Sequence, residues 1–185
     1  MKKAINPKNA QFPLPVVLVS CCDSEGNDNI ITVAMTTNIC RKIPHLGIVI
    51  NGEKYSAKLI KETREFAVNI PNAEMIKKVD FCGESHGDQI DKFAQTKLTK
   101  IDSQLIRPKI IKECPINIEC KLKDIYSIES SNLFIGEIVK THIDEDILDS
   151  DGKIIYLKLN PIVYAEKRYY NLRNSIGYRG FSKKQ

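Results

Sequence analysis

From Ile116 onward the chain alternates strictly: Ile116, Ile118, Cys120 and Leu122 are apolar, and Asn117, Glu119, Lys121 and Lys123 between them are polar. Successive side chains of a strand point to opposite faces, so a period of two predicts an antiparallel strand with one face in a core and one in water. The strand continues to Tyr126, and a second, Leu133 to Thr141, follows after a short turn. Two long strands cannot bury an apolar face alone, so the rest of the chain must supply more sheet.

It does so in short runs. Val16 to Ser20 reads as a buried strand, and the turn formers Asp23 to Asp28 lead into a second, Asn29 to Asn38. In that run Thr32, Ala34, Thr36 and Asn38 share one small, polar face, opposite Ile31, Val33, Met35 and Thr37, as a ligand-facing or half-exposed strand would. His45 to Ile50, Glu65 to Pro71, and a pair around Ile155 to Leu157 and Pro161 to Tyr164 complete the predicted strands. Helices are brief: one capped by Ser56 with Leu59, Ile60 and Thr63 on its inner face, one capped by Asn72 and stopped at Cys82-Gly83, and a turn over Asp88 to Phe93. Leu98 to Lys109 reads as irregular.

Strands dominate, and an antiparallel barrel, closed or nearly so, would also remove their exposed edges. A doubly wound parallel fold would need helices between most strands and a glycine-rich phosphate loop, and no such loop occurs. With 185 residues and no linker-like stretch, residues 1–185 read as a single domain with a core over about 12–170. No run is apolar and long enough to span a membrane.

The net charge of +5 lies at the two ends. Residues 1–10 carry three Lys, and the basic tail 167–185 carries six Lys or Arg, neither with an acid, so the middle is net acidic. Nucleic-acid binding through a basic face of the fold is therefore poorly supported, although the tail does interleave Tyr169 and Tyr170 with Lys167, Arg168 and Arg173. Six cysteines show no Cys-x-x-Cys pair, and with three histidines no zinc spacing arises, so free thiols in a reducing cytoplasm are expected. None of His45, His86 and His142 has a nucleophile that the sequence places beside it.

An enzyme lacking an evident acid, base or nucleophile can borrow its chemistry from a cofactor. Asn51-Gly52-Glu53-Lys54-Tyr55-Ser56 offers a turn, a cation, a hydroxyl and a helix start together, a pattern that suits a terminal phosphate but is also that of an ordinary helix N-terminus.

Several motifs recur in a telling order: Asn29-x-x-Thr32 with Thr36-Thr37, then Ser56, Glu65 to Pro71, Cys82-Gly83-x-x-His86-Gly87, Asp91-Lys92-Phe93, and Leu133 to Glu137. Over about Pro15 to Tyr170 this order resembles the flavin reductase-like family. The resemblance implies a mainly β, FMN-binding split barrel with short inserted helices, normally a homodimer with flavin near the subunit interface. It places Asn29, Met35, Thr36 and Thr37 along the isoalloxazine and ribityl, Lys54 and Ser56 at the phosphate, Lys92 as a further flavin contact, and Tyr164 as an aromatic wall. It also implies hydride from NAD(P)H passing through FMN to a small-molecule or protein acceptor. An FMN-loaded carrier reduced by a partner is the alternative. Two positions depart from the pattern: many relatives carry an aromatic at Met35, and a histidine at Ser131-Asn132.

Overall fold

A computed structural model describes residues 1–183. Its strands are β1 (Leu14–Pro15), β2 (Val17–Cys22), β3 (Asp28–Val33), β4 (Thr36–Cys40), β5 (His45–Asn51), β6 (Glu65–Ile70), β7 (Lys100–Ile101), β8 (Ile110–Ile111), β9 (Ile116–Ile128), β10 (Ser131–Ile143), β11 (Ile162–Ala165) and β12 (Arg168–Asn171). The helices are α1 (Tyr55–Thr63), α2 (Ile76–Glu84), α3 (Lys92–Thr96) and α4 (Tyr156–Leu159).

Seven strands form one antiparallel sheet in the order β3-β2-β6-β9-β10-β5-β4. Its two edges, β3 and β4, are consecutive in the chain and joined only by Ala34 and Met35. Two residues span no more than about 7 Å, so the edges must meet and the sheet must roll into a cylinder. The seam is closed by the covalent chain rather than by a full ladder, with Met35 O accepting from Val49 N at 2.9 Å. This is a split β-barrel.

The expected single strand Asn29 to Asn38 is therefore two strands on opposite edges, and the break has its cause in the strand pairing. β3 pairs with β2 only as far as Val33 opposite Val17. Beyond Val17 the neighbouring chain leaves β3: Val16 N donates to Ile162 O at 3.1 Å, and Leu14–Pro15 pair with β11. After Val33 the chain instead joins β5, with Thr36 opposite Ile48.

The barrel interior holds Val19, Ile31, Ile48, Phe66 and Phe134, among others, and α1 adds Ala57, Leu59 and Ile60 to the same core. A second core on the outer face of β2 and β3 packs Leu18 and Ile30 against Val79 and Cys82 of α2 and Phe93 of α3. β2 is buried on both faces for this reason, and its sequence, VLVSCC, does not alternate. Cys21 and Cys22 are both buried.

Several expectations are corrected. Ile155 to Leu157 is no strand: Tyr156–Leu159 is a helical turn ended by Asn160 at φ 44°, and three apolar residues are too few to distinguish one period from another. The last strand pair is β11 with β12, so part of the basic tail, Arg168–Asn171, is sheet. The segment Leu98 to Lys109, expected to be irregular, contains β7, which pairs with β8 just beyond it. Ser56 does not cap α1: Lys54 occupies that position, and Ser56 is the second helical residue. Asn72 does cap, accepting from Glu74 N, but its helical stretch runs on through Gly83 to Glu84. The two long strands reach Ile128 and back from Ser131.

The polar face of β9 is wet only in its second half. Asn117 and Glu119 are buried, because the chain between β7 and β8 folds over them. Gln104 N and Leu105 N donate to the two Glu119 carboxylate oxygens at 2.8 and 2.7 Å, and His142 Nε2 lies 2.7 Å from Oε1.

Candidate functional site

The seam between the two barrel edges opens into a groove with a polar and an apolar end. The polar cavity, about 250 Å³, is walled by Asn29, Ser56, Lys54, Lys92 and the loop Ser85–Asp88. The apolar one, about 420 Å³, is walled by Phe12, Leu14, Val33, Met35, Val49 and Tyr164. Both share Ile31, Asn51 and Lys54, so they are two parts of one groove. Together they fall in the size range of small-molecule sites, about 300–1,000 Å³.

Each polar group arrives for a local reason. Asp91 caps α3 by accepting from Ala94 N at 3.1 Å, which sets Lys92 as the first helical residue with its side chain turned inward. Lys92 is 3% exposed, and its ammonium donates to Cys82 O at 2.8 Å. Among the described residues it forms no ion pair. Nearby thiols cannot balance it, since burial pushes Cys21 up to about 12 and Cys82 up to about 11, leaving both neutral. Burial also lowers the Lys92 pKa, and the neighbouring Lys54 adds to that. A buried ammonium with one carbonyl partner has two donors left over. Glu53 and Asp88, the acids lining this cavity, are exposed and sit at its rim.

The N-terminus of α1 adds to the positive field. No side chain caps it and its first turn carries no acid. Its leading N–H groups and the dipole of a nine-residue helix therefore face the polar cavity beside Lys54.

Asn29 Nδ2 donates to Ser56 Oγ at 2.8 Å, with both residues buried. The motif glycines explain how the loop after α2 fits against this pair. A Cβ on Gly87 would stand 2.1 Å from Asn29 Oδ1, and one on Gly83 would stand 3.3 Å from Thr32 Cβ. Gly87→Ala must displace Asn29 or the loop. Overpacking of this kind costs about 1–3 kcal/mol, which a urea denaturation midpoint will register.

Of the residues singled out in the sequence, Asn29, Lys54, Ser56 and Lys92 meet at the polar end, and Met35 and Tyr164 at the apolar end. Thr36 and Thr37 line neither cavity. Thr36 shares the core-side face of the sheet with Ile48, so its hydroxyl is buried and has no hydrogen-bond partner among the described residues. Thr37 lies on the opposite, exposed face, its hydroxyl 3.4 Å from Asn38 O. Thr32 spends its hydroxyl on Val79 O at 2.5 Å, tying β3 to α2. Phe12 and Leu14 were missed because they precede the first strong strand. The Ser85–Asp88 loop was signalled only by its glycines.

The family model of the flavin reductase like domain matches residues 9–173. An uncharacterized protein of Archaeoglobus fulgidus is 28% identical over 151 residues, 82% of this chain and 83% of its own. Among solved structures, flavoredoxin of Desulfovibrio vulgaris (Miyazaki F) superposes with a TM-score of 0.92 at 28% identity, over 100% of both chains. Flavoredoxin from Methanosarcina acetivorans follows the same path with a TM-score of 0.88 at 27% identity, over 99% of this chain and 100% of its own. At 19% identity, a split barrel domain structure from Shewanella frigidimarina NCIMB 400 shares the fold with a TM-score of 0.82, over 90% and 85% of the two chains.

Proposed function

This chain belongs to the family of flavin reductase-like domains, and from that premise we propose that it binds FMN in the groove and works as an FMN-dependent oxidoreductase. The observation that carries this reading is Lys92, a buried cation with no carboxylate partner among the described residues, set at the polar end of a groove whose other end is apolar. A phosphate on a flat aromatic ring system has both complements.

The residues fit such a ligand. Lys92 and Lys54 would hold the phosphate, with the first N–H groups of α1 as further donors. Val33, Val49 and Leu14 would cover the ring, with Tyr164 as its aromatic side and Met35 at its margin. When bound, FMN would supply the chemistry: acceptance of a hydride from NADH or NADPH and release of the electrons to a small-molecule or protein acceptor. The protein's part is to bind, orient and keep water from one side of the ring. No side chain needs to act as acid or base, which agrees with the scattered histidines.

We also take the working form to be a cytoplasmic homodimer. The exposed apolar side chains of Met35, which lines the groove, and of Ile39 and Ile43 further along the chain support self-association, and the six free cysteines support a reducing compartment. Among the described residues no helix is long and apolar enough to cross a membrane.

The likeness to two flavoredoxin structures supports a second reading of our own, an FMN-loaded electron carrier reduced by another protein. Stopped-flow mixing of the FMN-loaded protein with NADH and with NADPH separates the two. The reductase reading expects rapid flavin bleaching with at least one nucleotide; no bleaching with either leaves the carrier.

A further inference from the structure

We propose that Asn29 is a positioning residue that makes Ser56 a hydrogen-bond donor into the polar cavity, so that this end of the groove reads a phosphomonoester rather than merely tolerating one. The inference rests on the FMN reading above. It changes the role of Asn29 from a ring contact to a support for the phosphate site.

The geometry fixes the direction of donation. A serine hydroxyl has one proton to give and two lone pairs to offer. Asn29 Nδ2, itself a donor, lies 2.8 Å from Ser56 Oγ. Two donors facing one another leave only one arrangement: Asn29 gives its proton, Ser56 accepts with a lone pair, and the Ser56 proton must point elsewhere.

Its options are few. Ser56 does not cap α1, and the side chain is 2% exposed, so solvent is not the partner. The Cys21 sulfur lies beside Ser56 and is a weak acceptor, while the Cys21 thiol proton is aimed at Asn29 O at 3.9 Å. Besides the weak side-chain hydrogen bond to Cys21, the direction open to the Ser56 proton is the polar cavity that Ser56 lines with Lys92. An oxyanion there is a far stronger acceptor than a neutral thiol and would take the proton.

Asn29 is held in this orientation from behind. Gly87 closes on its Oδ1 so tightly that no Cβ would fit, and the residue itself is 4% exposed in β3. The amide therefore has no room to swing out to solvent. The polar end therefore presents donors from two elements: Lys92 from α3, and Ser56 with the leading N–H groups from α1.

The test is a double-mutant cycle on the full chain, titrating apo-protein with FMN and with riboflavin and following flavin fluorescence. Asn29→Ala is neutral, so it changes no charge near the site. It should weaken FMN by about tenfold, the loss of one charge-assisted hydrogen bond. Riboflavin, which has no phosphate, should change by no more than about twofold. In a Ser56→Ala background, Asn29→Ala should add no more than about twofold to the FMN loss, because the two residues act as one unit.

Equal losses for FMN and riboflavin, or losses that simply add across the cycle, overturn the proposal. Should Asn29→Ala not fold, Asn29→Ser replaces it, since its shorter hydroxyl cannot reach Ser56, and the same pattern is required. Failure of the wild-type protein to bind either flavin is a different outcome, which removes the FMN reading itself.

Discussion

Lys92→Met should weaken FMN binding by about 2–3 kcal/mol, roughly thirty- to a hundredfold or more, while costing the apo-protein at most about 1 kcal/mol. The two effects separate because the ammonium is a poor structural group where it stands. It is buried, it has no carboxylate partner among the described residues, and its one recorded acceptor is Cys82 O. Removing a buried charge relieves a desolvation penalty of several kcal/mol. Against that, Cys82 O loses its donor, which costs about 1–3 kcal/mol. Methionine keeps most of the stem volume, so little cavity is created. The opposing terms leave apo stability near its starting point, and a rise is as acceptable as a small fall. Urea denaturation without flavin and titration with FMN measure the two quantities separately. A large loss of apo stability with unchanged FMN affinity would make Lys92 a structural prop.

Glu119→Ala should be among the most damaging substitutions away from the groove, at about 2–3 kcal/mol, the cost of removing a buried carboxylate acceptor from a partly buried hydrogen-bond network. Its carboxylate accepts from Gln104 N and Leu105 N and contacts His142, tying the chain between β7 and β8 to the middle of the sheet. Alanine leaves the Gln104 and Leu105 N–H groups without their acceptor and opens a void where the buried carboxylate stood. The pH dependence has a definite sign. Burial alone would raise the Glu119 pKa, but the hydrogen bonds from Gln104, His142 and Leu105 outweigh it, and the folded value lies below the ordinary 4.5. A depressed carboxylate contributes stability that is fully present above 4.5 and is lost as pH falls through the folded value. Glu119→Gln should therefore flatten the acid limb of stability below that pH. An unchanged acid limb would mean that other carboxylates carry it.

The barrel was legible because strands announce themselves by period. β9, β10, β5 and β6 lie within a few residues of where alternation or apolar runs put them. Topology was less accessible. Nothing in Val33-Ala34-Met35-Thr36 says that the chain changes sheet edge there, since the cause is the pairing of β1 with the distant β11, which leaves β3 without a neighbour beyond Val33. The same long-range effect hid the burial of Asn117 and Glu119, whose cover comes from a segment with little regular structure. Residues that line the polar cavity from special backbone, Lys54 and Ser56 at a helix start and Lys92 after its Asp91 cap, could be singled out as candidates by type and position. Thr36 and Thr37 could not, because their placement depends on the register of β4 against β5. What Asn29 does was also invisible, as it requires knowing that Ser56 and Gly87 stand on either side of it.

The most direct measurement is a fluorescence titration of purified apo-protein with FMN, at protein concentrations well above the dissociation constant, run in parallel with Lys92→Met. Saturation at one FMN per chain, with binding markedly weakened in the variant, is the predicted result. No saturable binding, or equal affinity in the two proteins, would contradict the groove as an FMN site anchored at Lys92.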